Sequence, residues 1–466
     1  VPLLRAERCV CAVWFLLLPW LGACAGYAET TAQARQYYYG GNYAQAVEHL
    51  DRLLGGEGRD KDRPLLLMER ASAHLAAGSY ELAVQDLVQA DAELEVMDFT
   101  SDPAQIGRYL FSEDSGLYRG PPHEKILIPT FASIALGTMG DTQRSRTASN
   151  AAHSQLVRFG ADEPQSPYFS PLSYYLLGLN AELVGDTQRA FSAYQQAASS
   201  SRSGFLDAVL LRLAEHNARR FGGHWTREYR NRAQRTRGRG AGAEKALGSN
   251  EGEIVVFVLA GRAPIRAEEK RRMSSQQHSM FLAQAMSALT RDYPQVNAYE
   301  ASQQIASETL LPMSGLQMRR SRYSGAKLLL AGSPAVPCER VLPVGEHVRS
   351  WFEENRDAQI TAAITRFATR VAARVGAYLA ARQQYSEGVA LLLGLLVGEG
   401  MRAADVPDTR CWALLPDNIL VGRVRARAGD VALQIQLTGR GGNRVLTRQL
   451  SVTPGKIRFA VVVAPE

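Results

Sequence analysis

The sequence predicts an α+β protein: an N-terminal array of α-helical hairpins followed by a mixed α/β domain that ends in antiparallel strands. Three observations predict it. Residues 30–225 place apolar side chains three and four apart, with few strand signals. At Glu253–Gly261 the texture switches to "EIVVFVLAG", a continuous apolar run expected of a strand buried on both faces. From Leu433 onward apolar and polar residues alternate, with Gly441-Gly442-Asn443 and Pro454-Gly455 supplying turns.

The chain of 466 residues has room for two or three domains, and its 46% hydrophobic content suffices for a real core. The net charge of +7 could favour anionic partners, but an arginine bias spread over solvated surface is the plainer explanation. Of the five cysteines, Cys9, Cys11 and Cys24 fall in the opening segment. Cys338 and Cys411 remain as candidates for one disulfide, which an oxidising compartment permits.

In chain order, Arg5 and Arg8 precede an apolar stretch from Val10 to Leu21. A dozen apolar residues fall short of the roughly 20 that span a bilayer. A basic flank, a short apolar core and small residues at its end predict a signal peptide over residues 1–23. Leu21-Gly22-Ala23-Cys24 resembles the bacterial lipobox. There the cysteine thiol takes a diacylglycerol, and the small residues let the peptidase approach. Two or more acyl chains, at about 0.8 kcal/mol per buried CH₂, anchor firmly. Cys24 is therefore the expected lipidation site. Ala25 after it resembles the sorting signal for the outer membrane, on its periplasmic face.

Residues 24–225 form the expected repeat domain. Gly41-Asn42-Tyr43 leads to Ala46, and Gly78-Ser79-Tyr80 leads to Ala83. Gly140-Asp141-Thr142-Gln143-Arg144 returns verbatim at Gly185-Asp186-Thr187-Gln188-Arg189, followed by Ala190, Phe191 and Tyr194. The phrase resembles the tetratricopeptide helical hairpin, in which a glycine breaks the first helix and a small alanine lets the two approach. The glycines are 37, 62 and 45 residues apart, against a regular repeat of about 34, so the array is irregular. Its third unit is degenerate, with Ser145 in the alanine position. Stacked hairpins leave a concave surface that binds protein segments, so envelope proteins are the expected partners.

Residues 226–250, rich in Arg, Gly and Ala, read as a linker. Their glycines follow no strand and precede no Lys-Ser/Thr pair, so they are no phosphate cradle. No aromatics interleave the arginines, and nucleic acid is not an expected partner.

Residues 251–466 form the mixed α/β domain. Helical segments are expected near 275–290, a second strand at Lys327–Ala331, and one long helix over 345–383. Ile360, Ile364, Phe367, Val371, Val375 and Tyr378 make its core stripe, while Arg366, Arg370 and Arg374 are expected on a solvated face. "GVALLLGLLVGEG" at 388–400 is too short to cross a membrane and reads as core. Arg423, Arg425 and Arg427 share one side of a strand and are expected in solvent. In "DTRCWALLP", Asp408 caps a turn, Arg410 pairs with a carboxylate or carbonyl, and Trp412 plugs the sheet–helix interface. An exposed Arg–Trp pair would instead mark an interaction hot spot.

Three phrases, "PPHEKILIPTFASIALGTMGD", "GSNEGEIVVFVLAGRAPIR" and "VPDTRCWALLPDNILVGRVRARAGDVALQIQL", resemble a family of bacterial envelope lipoproteins of unassigned activity. The likeness covers most of the chain after Cys24. Its most specific positions are Gly252, Gly261, Ala263 and Pro264, then Asp408, Arg410, Trp412, Leu415 and Pro416. The resemblance implies helical repeats followed by an α/β domain. Members are encoded beside lipoproteins resembling activators of cell-wall synthases, which adds peptidoglycan-related lipoproteins to the expected partners. Cys411 departs from the pattern, standing where a small hydroxyl residue belongs, and with Cys338 nearby in the fold it would make a disulfide particular to this lineage.

No enzyme is expected. The eight histidines form no HExxH, so no metal or cofactor is expected. Ser324-Gly325-Ala326-Lys327 is an SxxK followed by a strand-like run and no KTG. Asp405 and Asp408, beside Pro407, read as turn residues. The leading expectation is a lipid-anchored scaffold. A peptidoglycan-binding or synthase-regulating factor is the alternative, and a hydrolase comes third.

Overall fold

The computed structural model describes residues 26–56, 60–99, 117–162, 169–199, 205–236, 248–387, 389–391 and 407–466. The signal segment with Cys24, most of the 388–400 run, and Asp405 lie outside the described residues. Among those described, no helix is long and apolar enough to cross a membrane.

After a helical turn at Tyr27–Thr30, the described residues form four helical hairpins: α1 Ala32–Tyr39 with α2 Tyr43–Leu54, α3 Arg63–Ala77 with α4 Tyr80–Phe99, α5 Pro122–Met139 with α6 Thr142–Asp162, and α7 Ser170–Leu183 with α8 Thr187–Ser199. Each pair turns on the glycine the sequence singles out. Gly41, Gly78, Gly140 and Gly185 all take positive φ, a region that costs other residues a clash at Cβ. The next residue's N–H then returns to a carbonyl five positions back. The bonds are Asn42 to Tyr37 and Ser79 to His74 at 2.9 Å, Asp141 to Leu136 at 3.0 Å, and Asp186 to Ala181 at 2.9 Å. Ala46, Ala83 and Ala190 are fully buried where the helices meet, and so is Ser145. That serine is accommodated: its hydroxyl donates to the Ser133 carbonyl at 2.9 Å, and the Ser133 hydroxyl donates to the Ser145 carbonyl at 3.0 Å.

Among the described residues α9 Asp207–His216 and α10 Gly223–Thr236 follow, with a single helical turn at Ala218–Phe221 between them. The linker expected from residue 226 is thereby corrected. Through Thr236 the chain is helical, because Tyr229 buries its ring against Phe191 and Trp225 while Arg232 reaches Asp207 at 3.1 Å. Residues 237–247 of that stretch lie outside the described residues.

The second half builds two four-stranded sheets. Its strands are β1 Glu251–Ala260, β2 Ile265–Arg272, β3 Leu310–Gln317, β4 Gly325–Leu329, β5 Val336–Pro337, β6 Glu339–Leu342, β7 Asn418–Arg427, β8 Gly429–Gly439, β9 Gly442–Val452 and β10 Ile457–Ala464. The central sheet runs β10-β1-β7-β6 and the outer sheet β5-β4-β8-β9. β7 pairs antiparallel with β1 in the central sheet and β8 with β9 in the outer one, whereas β10 returns parallel to β1. Alternation along β1 explains its unbroken apolar run. Val255, Phe257 and Leu259 enter the core shared with the helices, while Ile254, Val256, Val258 and Ala260 enter the core between the sheets. The protein is thus three layers: helices, central sheet, outer sheet. β10 follows the same logic: Phe459 and Val461 face the helices, while Ala460, Val462 and Ala464 are buried between the sheets, so neither face is wet as alternation alone would suggest.

A satellite core lies apart, where β2 and β3 pair and pack with α11 Ser275–Asp292, α12 Ala298–Ala306 and α14 Arg356–Gln384. The single helix expected over 345–383 is two, α13 Val344–Glu354 and α14. Asn355 ends the first by donating its side-chain amide to the Trp351 carbonyl at 2.8 Å. Of the expected stripe, Ile360, Ile364, Val371 and Val375 are buried, and Phe367 and Tyr378 pack against them. The arginine face is not solvated: Arg366 and Arg370 are buried, and Arg374 pairs with Glu308 at 2.6 Å. Ser324 precedes strand β4 rather than opening a helix, so the SxxK lacks its structural context.

Candidate functional site

The residues singled out around position 410 converge on the joint between the helical hairpins and the central sheet. Residues 407–417 run there without helix or strand, so their backbone groups need partners from elsewhere. Asp408 accepts from the Arg410 backbone N–H at 3.0 Å and from its Nε and Nη2 at 2.8 and 3.1 Å. The third guanidinium nitrogen, Nη1, donates to Asp62 at 2.9 Å, and the plane lies 5.6 Å over the Tyr118 ring. Arg410 is only 1% exposed, so it is a buried ion-paired anchor rather than a surface hot spot. Burial opposes ionisation of Asp408, but Arg410 outweighs it and holds the carboxyl below its usual range.

Trp412 donates its backbone N–H to Glu124 Oε1 at 2.8 Å and its indole Nε1–H to Ser72 at 2.9 Å. Its ring meets Phe131 edge-on. Ala413 donates its N–H to Glu69 Oε1 at 2.9 Å, and its carbonyl accepts from Tyr39 and from Arg319, both at 2.7 Å. Glu124 Oε2 accepts from the Tyr118 hydroxyl. Burial pushes the Glu69 and Glu124 carboxyls up to about 7.

Beside this lock lies a cavity of about 20 Å³, room for a single water, lined by His123, Glu124, Arg266, Trp351 and Cys411. Burial lowers the His347 imidazole to about 4 and takes His123 below its ordinary range. Burial likewise lifts the Cys411 thiol to about 11, and its sulfur accepts the Arg266 N–H at 3.4 Å. A thiol so held is a poor nucleophile at neutral pH.

The expected disulfide is corrected: Cys338 and Cys411 are both free. Cys338 packs between the sheets beside Leu328 and Gly422, while Cys411 lies in the joint on the opposite side of the central sheet. The other signature residues split. Gly261, at positive φ, donates its N–H to Ala464 at 2.8 Å, and a Cβ there would meet Ser321 Oγ at 2.4 Å. Pro264 lines the small cavity, and Pro416, buried, leads into β7. Gly252 stands at the far end of β1, where a Cβ would meet the Thr453 carbonyl at 2.6 Å. It shapes the β9–β10 turn and takes no part in the joint.

A second buried cluster pins α7, α8 and α9 to the sheet. Arg423 donates from Nε and Nη2 to Glu253 at 2.9 and 2.6 Å, from Nη2 to Glu182 at 3.1 Å, and from Nη1 to Tyr194 at 3.0 Å. The solvent exposure expected for Arg423 is thereby corrected; Arg427 alone of its trio is exposed. Burial opposes charge on Glu253, but Arg423 holds its carboxyl below the usual value.

Sequence reasoning found Asp408, Arg410 and Trp412 and missed Asp62, Glu69, Ser72, Glu124 and Arg319. A glutamate inside each of the apolar runs "LLLMERASAHLAA" and "PPHEKILIP" was the available signal. On the outer side of the hairpins, Val84, Leu87, Val88, Ile128, Pro129 and Ala148 line an open cleft of about 280 Å³. No grouping of His, Cys, Asp and Glu among the described residues could hold a metal ion. Comparison with protein-family models and with curated proteins finds no match to this chain.

Proposed function

We propose that the protein is a lipid-anchored scaffold of a bacterial envelope assembly, tethered through Cys24 on the periplasmic face of the outer membrane. The observation that carries this reading is the joint. It ties the two halves together through buried contacts: Arg410 pairs with Asp408 and Asp62, and Glu69 and Glu124 accept from the backbone of 412–413. Helices and sheets thereby become one rigid body that offers its outer faces to partners. The face made by the first helices of the hairpins, where a repeat array would ordinarily take a peptide, lies against this chain's own sheet: α3 and α5 pack on β10, and α7 packs on β6. Partner proteins then dock on outward surfaces rather than in a concave groove.

Crosslinking in cells, followed by purification of the protein and a Cys24→Ser variant, tests the reading. Envelope proteins should accompany the native protein in the membrane fraction, and the variant should lose the membrane. Recovery of muropeptides alone would favour the peptidoglycan-binding alternative. An unmodified amino terminus upstream of Cys24 would refute the tether.

A further inference from the structure

The charge excess is not evenly spread. Residues 431–465 carry Arg440, Arg444, Arg448, Lys456 and Arg458 and not one aspartate or glutamate. Glu466 is shared by Arg322 and Arg444. Arg440, Arg448, Lys456 and Arg458 are all exposed, with no carboxylate at ion-pair distance among the described residues. Arg444 and Arg448 act electrostatically on Tyr43, and Arg448 and Arg458 on Tyr80. Tyr43 and Tyr80 open α2 and α4, so the tips of the first two hairpins flank these cations.

The same region holds an open strand edge. β9 is last in the order β5-β4-β8-β9 and, among the described residues, pairs only with β8, in unbroken register from Gly442 opposite Gly439 to Val452 opposite Gly429. It has neither proline nor bulge, two of the usual devices that blunt an edge. Arg444, Leu446, Arg448 and Leu450 stand on one face by the two-residue alternation, and both leucines pack at the margin of the inter-sheet core. A second copy of this strand paired symmetrically about Leu446, or parallel in register, would set arginine against arginine. A strand with acidic and apolar residues alternating on one face meets no such repulsion.

We infer that β9 receives an extended acidic segment of a partner protein, which adds as a fifth strand to the outer sheet. Main-chain hydrogen bonds would supply the pairing, and carboxylates opposite Arg444 and Arg448 the selectivity. The inference goes beyond the scaffold reading and does not depend on the lipid tether.

The test is fluorescence anisotropy on the purified protein with a labelled peptide, Glu-Thr-Val-Thr-Glu-Thr-Val-Thr-Glu. It should bind, while the peptide with lysine for glutamate and the peptide with proline for threonine should not. Arg448→Glu should weaken binding at least tenfold, whereas Lys270→Glu, the same charge change on the satellite strand β2, should leave it unaltered. Both positions are exposed, and circular dichroism would verify folding. Hydrogen exchange should show new protection at β9 amides. Absence of binding would overturn the inference, as would equal binding of the proline peptide, which would mark a mere polyanion patch. So would binding to phosphatidylglycerol vesicles that displaces the peptide without protecting β9, which would make the face a membrane contact. Because the assay is done in solution, its failure leaves the cell-fractionation result for the scaffold untouched.

Discussion

Single ionisable residues in the joint pull stability in opposite directions. Burial raises Glu69 and Glu124 to about 7, so between roughly pH 4.5 and 7 the folded state holds protons that the unfolded state has released. Their contribution is complete below the unfolded value near 4.5 and is lost as pH rises through 7. Burial lowers His347 to about 4 and His123 below its usual range, so these two hold fewer protons when folded. Their contribution therefore grows as pH rises from about 4 to 6.5. The groups facing Glu124 are Tyr118, the Trp412 N–H, Arg266, Asp408 and Cys411, together with Glu69, which titrates in the same window and is coupled to it. Glu124→Gln removes one falling contribution. Its stability relative to the native protein should increase from pH 4.5 to 7 by up to about 3 kcal/mol, read from urea unfolding at each pH. A difference that stays constant with pH would show that Glu124 titrates normally. The apolar runs around the two glutamates signal burial, but not their role, because each acquires it from a partner about 300 residues away. Arg410 and Trp412 were recognisable, since an arginine and a tryptophan beside a proline-bounded turn have few places to go.

At the scale of elements, period and punctuation carried the reading. The four turn glycines and the small residues after them marked the hairpins, and the switch from a period near four to a continuous apolar run marked β1. What the pattern could not carry was which polar faces would be covered. Arg366, Arg370 and Arg423 sit at spacings that a solvated face shares, and tertiary neighbours decided otherwise. Gly137 is a further case. Inside α5 a glycine should cost about 1 kcal/mol relative to alanine. It is kept because a Cβ there would come within 2.3 Å of the Phe459 ring on β10. Gly137→Ala should therefore destabilise, by about 1–2 kcal/mol net of the gain in helix preference. Phe459→Leu should recover part of that loss when combined with it, a coupling that a double-mutant cycle in urea measures. If Gly137→Ala stabilised the protein, the close approach of helix and strand would be wrong.

At the scale of the whole molecule, repeat arrays and their appended domains ordinarily fold apart, and the sequence, with its arginine-rich stretch at 226–250, read that way. The structure argues for a single cooperative unit instead. One apolar core runs from Leu65 and Phe131 of the hairpins through Trp412 and Leu415 of the joint to Phe257, Val421 and Phe459 of the central sheet. The central sheet without the helices would leave Val255, Phe257, Leu259, Val421, Phe459 and Val461 facing water, a patch no stable soluble domain leaves bare. The helices alone would strand Glu69 and Glu124, whose acceptor oxygens meet backbone N–H groups of the other half. Unfolding in urea followed by helical circular dichroism should therefore coincide with loss of hydrogen-exchange protection in β8, in the layer farthest from the helices. Residues 26–236 and 248–466 expressed separately should each fail to give a sharp transition, yet combine into one when mixed. Two well-separated transitions in the intact chain, or a cooperative transition in either fragment, would mean that the joint is a docking surface between independent domains and that its buried charges fasten rather than complete the fold.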